Sequence, residues 1–206
     1  MQKILDGWSL IMVGSWNPRI FTPQWISNGR LTDQSEVMVE VAFNDLDLPI
    51  RYAFDNITMA VSERHIILSP TSPDNDLMLH LEHTSKIILQ DLPHTPLSAI
   101  GVNFKFNIED FDESVVDDFK FFDLDALSDK GYEIHESSIA RKMKRNGIDI
   151  NFGLFRGYQR DDIDLIFNFH KNVVNVEEAV TFIDGKVLDY CKEAEIISSI
   201  YNKREG

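Results

Sequence analysis

Eight apolar side chains near the C-terminus, Val176, Val180, Ile183, Val187, Tyr190, Ala194, Ile197 and Tyr201, recur at spacings of four and three residues. That period lines one face of a helix. A continuous helix over 176–201 would run roughly 39 Å and needs an equally long apolar surface, either the chain's own sheet or a second copy. Asn175 as N-cap, with Glu178 three residues on, makes a capping box at its start. Gly185 in the interior costs about 1 kcal/mol relative to alanine, so something packs against the backbone there or the helix bends.

Immediately upstream the period changes from 3.6 to two. Asn146-Gly147 between alternating residues is a strong hairpin signal. Pairing Arg145 with Ile148 sets Met143 opposite Ile150, Arg141 opposite Phe152 and Ile139 opposite Leu154. A second turn around 159–162 pairs Tyr158 with Ile163, Leu154 with Phe167 and Phe152 with Phe169. One face of the resulting three-stranded meander is apolar, and the other carries Lys142, Lys144, Asp149, Asn151, Asp162, Asp164, Asn168 and His170. The C-terminal helix is expected to lie across the apolar face.

The same patterns organise the rest of the chain. Residues 8–16 read as a strand, and Thr22 before Pro23 starts a short helix that Asn28-Gly29 stops. Residues 36–43, 50–54, 57–62 and 65–69 read as strands of an antiparallel meander. Ser72-Pro73-Asp74 opens a helix over 73–92 that Pro93 ends, and residues 97–107 are a central strand with Ile100, Val102, Phe104 and Phe106 on one face. The segment after it places Val115, Val116, Phe119, Phe122 and Leu127 among carboxylates, the spacing of a surface helix that buries its aromatics, with Asp112 or Ser114 as cap. Trp8, Trp16 and Trp25 are expected in the core rather than in a contact patch.

Composition narrows the class. A chain of 206 residues fits one domain over 1–206 and buries roughly 70% of its unfolded surface without metal or disulfide staples. The longest early apolar run, Leu10 to Val13, is too short for a signal peptide or a membrane span, so a soluble, cytoplasmic protein without membrane contact is expected. The single cysteine, Cys191, falls inside the helical pattern and reads as a packed thiol. A formal net charge of −14 argues against nucleic-acid binding by the surface as a whole. The charge is uneven: residues 109–129 hold nine acids against Lys120, whereas 141–160 hold six basic residues against Asp149.

Candidate chemistry is sparse. Arg141 falls on the apolar face of the meander, where a permanently charged guanidinium needs an anionic partner. With Arg145 and Arg156 on the same face it could bind a carboxylate or phosphate between sheet and helix. The commoner role for Arg141 is an ion pair with an acid of the C-terminal helix, or a packed stem with its head in water. Lys142, Lys144 and Arg160 offer a basic patch, split from Arg141 and Arg145 by the two faces of the strand. His80, Glu82, His83 and His94 hint at a metal site but lack a second ligand pair, and no metal or cofactor is expected. No nucleophile elbow, phosphate loop or dinucleotide-binding glycine pattern occurs.

These patterns predict an α+β fold: a largely antiparallel sheet with flanking helices and a long C-terminal helix across a three-stranded meander. In outline this resembles helix-grip ligand-binding folds, and an outline carries no function. The leading functional expectation is a non-enzymatic acidic interaction or regulatory protein acting through a protein partner or as a homo-oligomer. Its candidate contacts are Asp112, Glu113, Asp117 and Asp118 on the acidic segment and Val187, Tyr190 and Tyr201 on the helix stripe. The alternative is a cavity module or enzyme holding a small anionic ligand through Arg141 and its neighbours, with nucleic-acid binding by the basic hairpin third.

Overall fold

The computed structural model describes residues 1–27, 30–34, 36–41, 49–112, 114–158 and 162–202. The strands are β1 (Gln2–Lys3), β2 (Ser9–Gly14), β3 (Met38–Glu40), β4 (Ile50–Phe54), β5 (Ile57–Val61), β6 (His65–Pro70), β7 (Leu97–Ile108), β8 (Glu136–Arg145), β9 (Ile148–Gly157) and β10 (Ile163–Asn172). The helices are α1 (Pro23–Ser27), α2 (Asn75–Asp91), α3 (Ser114–Asp118), α4 (Leu124–Ser128), α5 (Val176–Ile183) and α6 (Val187–Ser199). The fold is α+β, as the residue patterns predict.

Among the described residues all ten strands join one antiparallel sheet, ordered β3-β4-β5-β6-β2-β7-β10-β9-β8. Two meanders, β3 to β6 and β8 to β10, therefore flank a central pair, β2 and β7. β1 continues the line of β2 along β7, pairing Gln2 with Asn107 and Lys3 with Phe106. Local chemistry explains most element ends. Asn146 and Gly147 hold φ of 52° and 80° in the β8–β9 turn, and Asp55 and Asn56 hold 45° and 61° between β4 and β5, left-handed values that these residue types tolerate. Thr22 accepts from the backbone N–H of Trp25 at the start of α1. In α2 the cap is Asp74, which accepts from Asp76 N–H, rather than the serine before Pro73.

The hairpin register is the predicted one, from Arg145 against Ile148 to Ile139 against Leu154. The next register differs by two residues: Ile163 faces Arg156, Leu165 faces Leu154 and Phe167 faces Phe152. The connection after β9 is thus longer than a tight turn, and a shift of two leaves every side chain on its predicted face. Residues 159–161, which include Arg160, lie outside the described residues, as do Asn28, Gly29, Ala42, Phe43 and Glu113.

The long C-terminal helix is two helices. α5 ends at Ile183, Gly185 adopts φ of 67°, and α6 starts at Val187. A β-carbon at Gly185 would meet nothing within 4 Å, so it is the left-handed backbone, not crowding, that places glycine there. The apolar stripe runs through both pieces onto the sheet, with Ala179, Ile183, Val187 and Ala194 fully buried. The acidic segment is likewise two short helices rather than one. α3 buries Val115 and the following turn Phe119, but Phe122 is 99% exposed because no continuous helix turns it inward.

One cluster of buried apolar residues unites Trp8, Trp16, Phe104, Phe167 and the α2, α5 and α6 faces. Trp8 packs edge-on against Phe104 at 5.0 Å, so the N-terminal tryptophans belong to the core, with Trp25 half-buried at its margin. No described helix is long and apolar enough to cross a membrane.

Candidate interaction surfaces

Three places gather the side chains that the sequence marks out. The first is a cleft of about 350 Å³ between the tip of the β8–β9 hairpin and α6. Its floor is Ile148, Ile150, Phe169 and Tyr190, and its rim is Arg145, Lys186, Asp189 and Glu193. Tyr190 stacks on Phe169 at 5.0 Å and on Phe182 at 5.1 Å, and its hydroxyl donates to Phe182 O at 2.6 Å. Burial, with the nearby acids Asp189 and Glu82, holds that hydroxyl far above the usual tyrosine range. Both cations are engaged within the chain: Arg145 is paired with Glu193, and Lys186 Nζ donates to Thr181 O at 2.9 Å. Two carboxylates balance them, so the rim is not a net positive anion trap.

The other arginines do not join it. β8 is the last strand of the sheet, and its core-facing Ile139 and Met143 are only partly buried against the core. Arg141 between them is exposed, the arrangement in which its head reaches water at the sheet edge. Arg156, opposite Ser137, sits toward the far end of the hairpin from Arg145 with its guanidinium 5.6 Å from the centre of the Tyr158 ring. Val187 and Tyr190 are buried in the chain's own core and Tyr201 stacks on Phe152 at 5.7 Å, so the stripe covers the chain's own sheet and is no free seam.

The second place is the junction between α5 and α6. Glu82, read from sequence beside possible metal-binding histidines, is buried and accepts from the backbone N–H groups of Gly185 at 2.8 Å and Val187 at 3.3 Å. It caps the start of α6. Among the described residues no group of three or more His, Cys, Asp and Glu side chains is placed to hold a metal. On the same helix Cys191 is buried, its thiol pushed up to about 11 chiefly by desolvation, with Glu195 adding. At pH 8 iodoacetamide is expected to leave Cys191 of the native protein unmodified and to label it fully in urea. Equal labelling rates in both would mean that the thiol is exposed.

The third is the sheet face turned away from the helices. None of the apolar residues in or against the core cluster lies on it. Across its middle, Asn151 Nδ2 donates to Asn168 Oδ1 at 2.9 Å, Asn168 Nδ2 to Asn103 Oδ1 at 2.7 Å, and Asn103 Nδ2 to Ser9 Oγ at 2.9 Å. This row ties four adjacent strands side chain to side chain. To one side of it a groove of about 480 Å³ crosses β3 to β6, floored by the small residues Ala53, Ala60 and Ser69, with Ile67 on its wall and Glu40 and Arg51 at its mouth. Ile11 and Ile67 are only half-buried, and Val13 is 37% exposed. The charges on this face are Arg51, Lys105, Lys142 and Lys144 against Glu40, Glu136, Asp149, Asp164 and, just before β10, Asp162, whose carboxylate accepts from Asn107 Nδ2 at 3.0 Å, a near balance that the whole chain at −14 does not have.

Sequence reasoning missed this groove. The available signal is apolar Ile67 between His65 and Ser69, on the opposite face of its strand from Ile66 and Leu68. In the acidic segment, Asp112 caps α3 by accepting from Ser114 N–H at 2.9 Å, Asp117 pairs with Lys120, and Asp118 is exposed. Lys144 pairs with Asp149 at 3.6 Å, so the basic hairpin is partly neutralised on its own surface.

No protein-family model matches the chain, and no curated protein is significantly similar to it.

Proposed function

We propose that this protein binds another protein through the open face of its sheet, and acts by that contact rather than by catalysis. The observation that carries the reading is the near balance of charge on that face of a strongly acidic chain, together with the small-residue groove across β3 to β6. A nearly neutral, partly apolar and grooved surface desolvates at lower cost than the acidic remainder. The amide row adjoining it holds the sheet surface in one shape, which lowers the ordering cost of association. The alternative, a small anion in the cleft beneath Arg145, draws less support, because Glu193 already occupies that guanidinium.

Ala60 lies between Arg51 and Ile67 on the groove floor. Replacing it by glutamate fills the groove while giving Arg51 a cross-strand partner, so folding is expected to change by less than about 1 kcal/mol. Crosslinking of the tagged protein in its native host, followed by mass spectrometry, is expected to yield a partner with the wild type and to lose it with Ala60→Glu at an unchanged melting temperature. Recovery of the same partner at equal yield with both proteins would sink the open-face reading.

A further inference from the structure

Among the described residues the sheet ends in an edge ten residues long that no other strand pairs with. β8 pairs with β9 on one side and is the terminal strand on the other. The opposite terminal strand, β3, has three residues. β8 contains no proline and no register shift against β9, two of the devices by which proteins blunt an edge.

Backbone geometry says which groups that edge offers. A two-residue turn closes on a hydrogen-bonded pair, Arg145 with Ile148, so odd-numbered residues of β8 turn their N–H and C=O toward β9. The bond from Tyr158 N–H to His135 O at 3.0 Å obeys the same parity at the far end. Glu136, Ser138, Ala140, Lys142 and Lys144 therefore point their backbone groups outward, away from the sheet.

Those five positions complement themselves. We propose that β8 pairs antiparallel with β8 of a second copy, with Ala140 opposite its own counterpart on the two-fold axis, so that the two sheets continue into one. In that register Glu136 faces Lys144 of the other copy at both ends, Ser138 faces Lys142, and the smallest side chain of the five meets itself at the axis. All five outward residues find backbone partners. Moving the register two residues toward the turn sets Arg141 against its own counterpart, and moving it two the other way takes Lys144 beyond the start of the opposing strand. An acidic strand from another protein would answer the four cations Arg141, Lys142, Lys144 and Arg145, but it would set a carboxylate against Glu136. The internal Glu136 and Lys144 match therefore selects a second copy. This edge contact does not depend on the open-face reading; it would set two such faces side by side.

Sedimentation velocity over a concentration series tests it. The wild type is expected to dimerise, with slowed hydrogen exchange at the amides of Ser138, Ala140, Lys142 and Lys144 as concentration rises. Glu136→Lys sets lysine against Lys144 twice per dimer and is expected to weaken association tenfold or more, and Glu136→Lys with Lys144→Glu to restore it. Ala140→Pro removes an outward N–H while leaving the ladder to β9 intact, and is expected to give a folded monomer. A wild type that stays monomeric at every concentration, or a dimer indifferent to both Glu136→Lys and Ala140→Pro, would overturn the proposal.

Discussion

Phe169→Ala is expected to lower the unfolding free energy by about 3–5 kcal/mol, read as a fall in the urea midpoint at an unchanged slope. Phe169 is 1% exposed and stands between two layers. Within the sheet its edge meets Phe104 at 6.0 Å, and above it Tyr190 of α6 stacks at 5.0 Å, with Phe182 of α5 behind. Truncation removes the ring on which α6 rests, and Tyr190 cannot drop to fill the space because its hydroxyl is tied to Phe182 O. Since a domain's net stability is only about 5–15 kcal/mol, the variant should be near the limit of folding at 37 °C. A loss under about 1 kcal/mol would mean that the aromatic stack does not hold α6 to the sheet.

Glu82→Ala is expected to cost about 2–4 kcal/mol, an effect out of proportion to the few atoms removed. The buried carboxylate accepts two backbone N–H groups at a helix start, where no intrahelical acceptor exists. Without it the amides of Gly185 and Val187 lose their partner, and that of Val187 is buried. Glu82→Gln keeps one acceptor oxygen and should lose about half as much. Urea melts give the totals, and hydrogen exchange at Gly185 and Val187 locates them: faster exchange at these two amides ahead of the rest of α6 is the expected signature. Were Glu82→Ala as stable as the wild type, the carboxylate would have no capping role.

The parts of the fold legible in the sequence are those governed by neighbours within a few residues. Asn146-Gly147 defines a turn by its own backbone preferences, so the β8–β9 register follows from four residues. The caps at Thr22 and Asn175 are equally local, and the alternation of Ile100, Val102, Phe104 and Phe106 marks a buried strand face without knowledge of its partners. Gly185 was visible as a weak point in the helical stripe, though not as a complete break. Of the candidate site residues, it is Arg145 that meets an acid of the C-terminal helix, Glu193, the kind of pair that the sequence offers for Arg141.

What the sequence leaves open depends on contacts distant along the chain. Arg141 alternates with core residues, and whether its head meets a buried partner or reaches water depends on whether β8 is an edge strand, which is not written in a strand's own residues. Glu82 sits beside two histidines in sequence, yet its partners lie more than 100 residues away at 185 and 187. The insertion of β2 between β6 and β7 is of the same kind. Side-chain period and backbone preference, which act over one to four residues, are enough for most strands and helices, the Asn146-Gly147 turn and the apolar face of each strand, but not for the breaks at Gly185 and after α3 or for the β9–β10 register. Only the tertiary structure decided which strand became an edge, which carboxylate became a cap and which sheet face stayed open, because each of these is settled by burial against segments that the chain brings together only on folding.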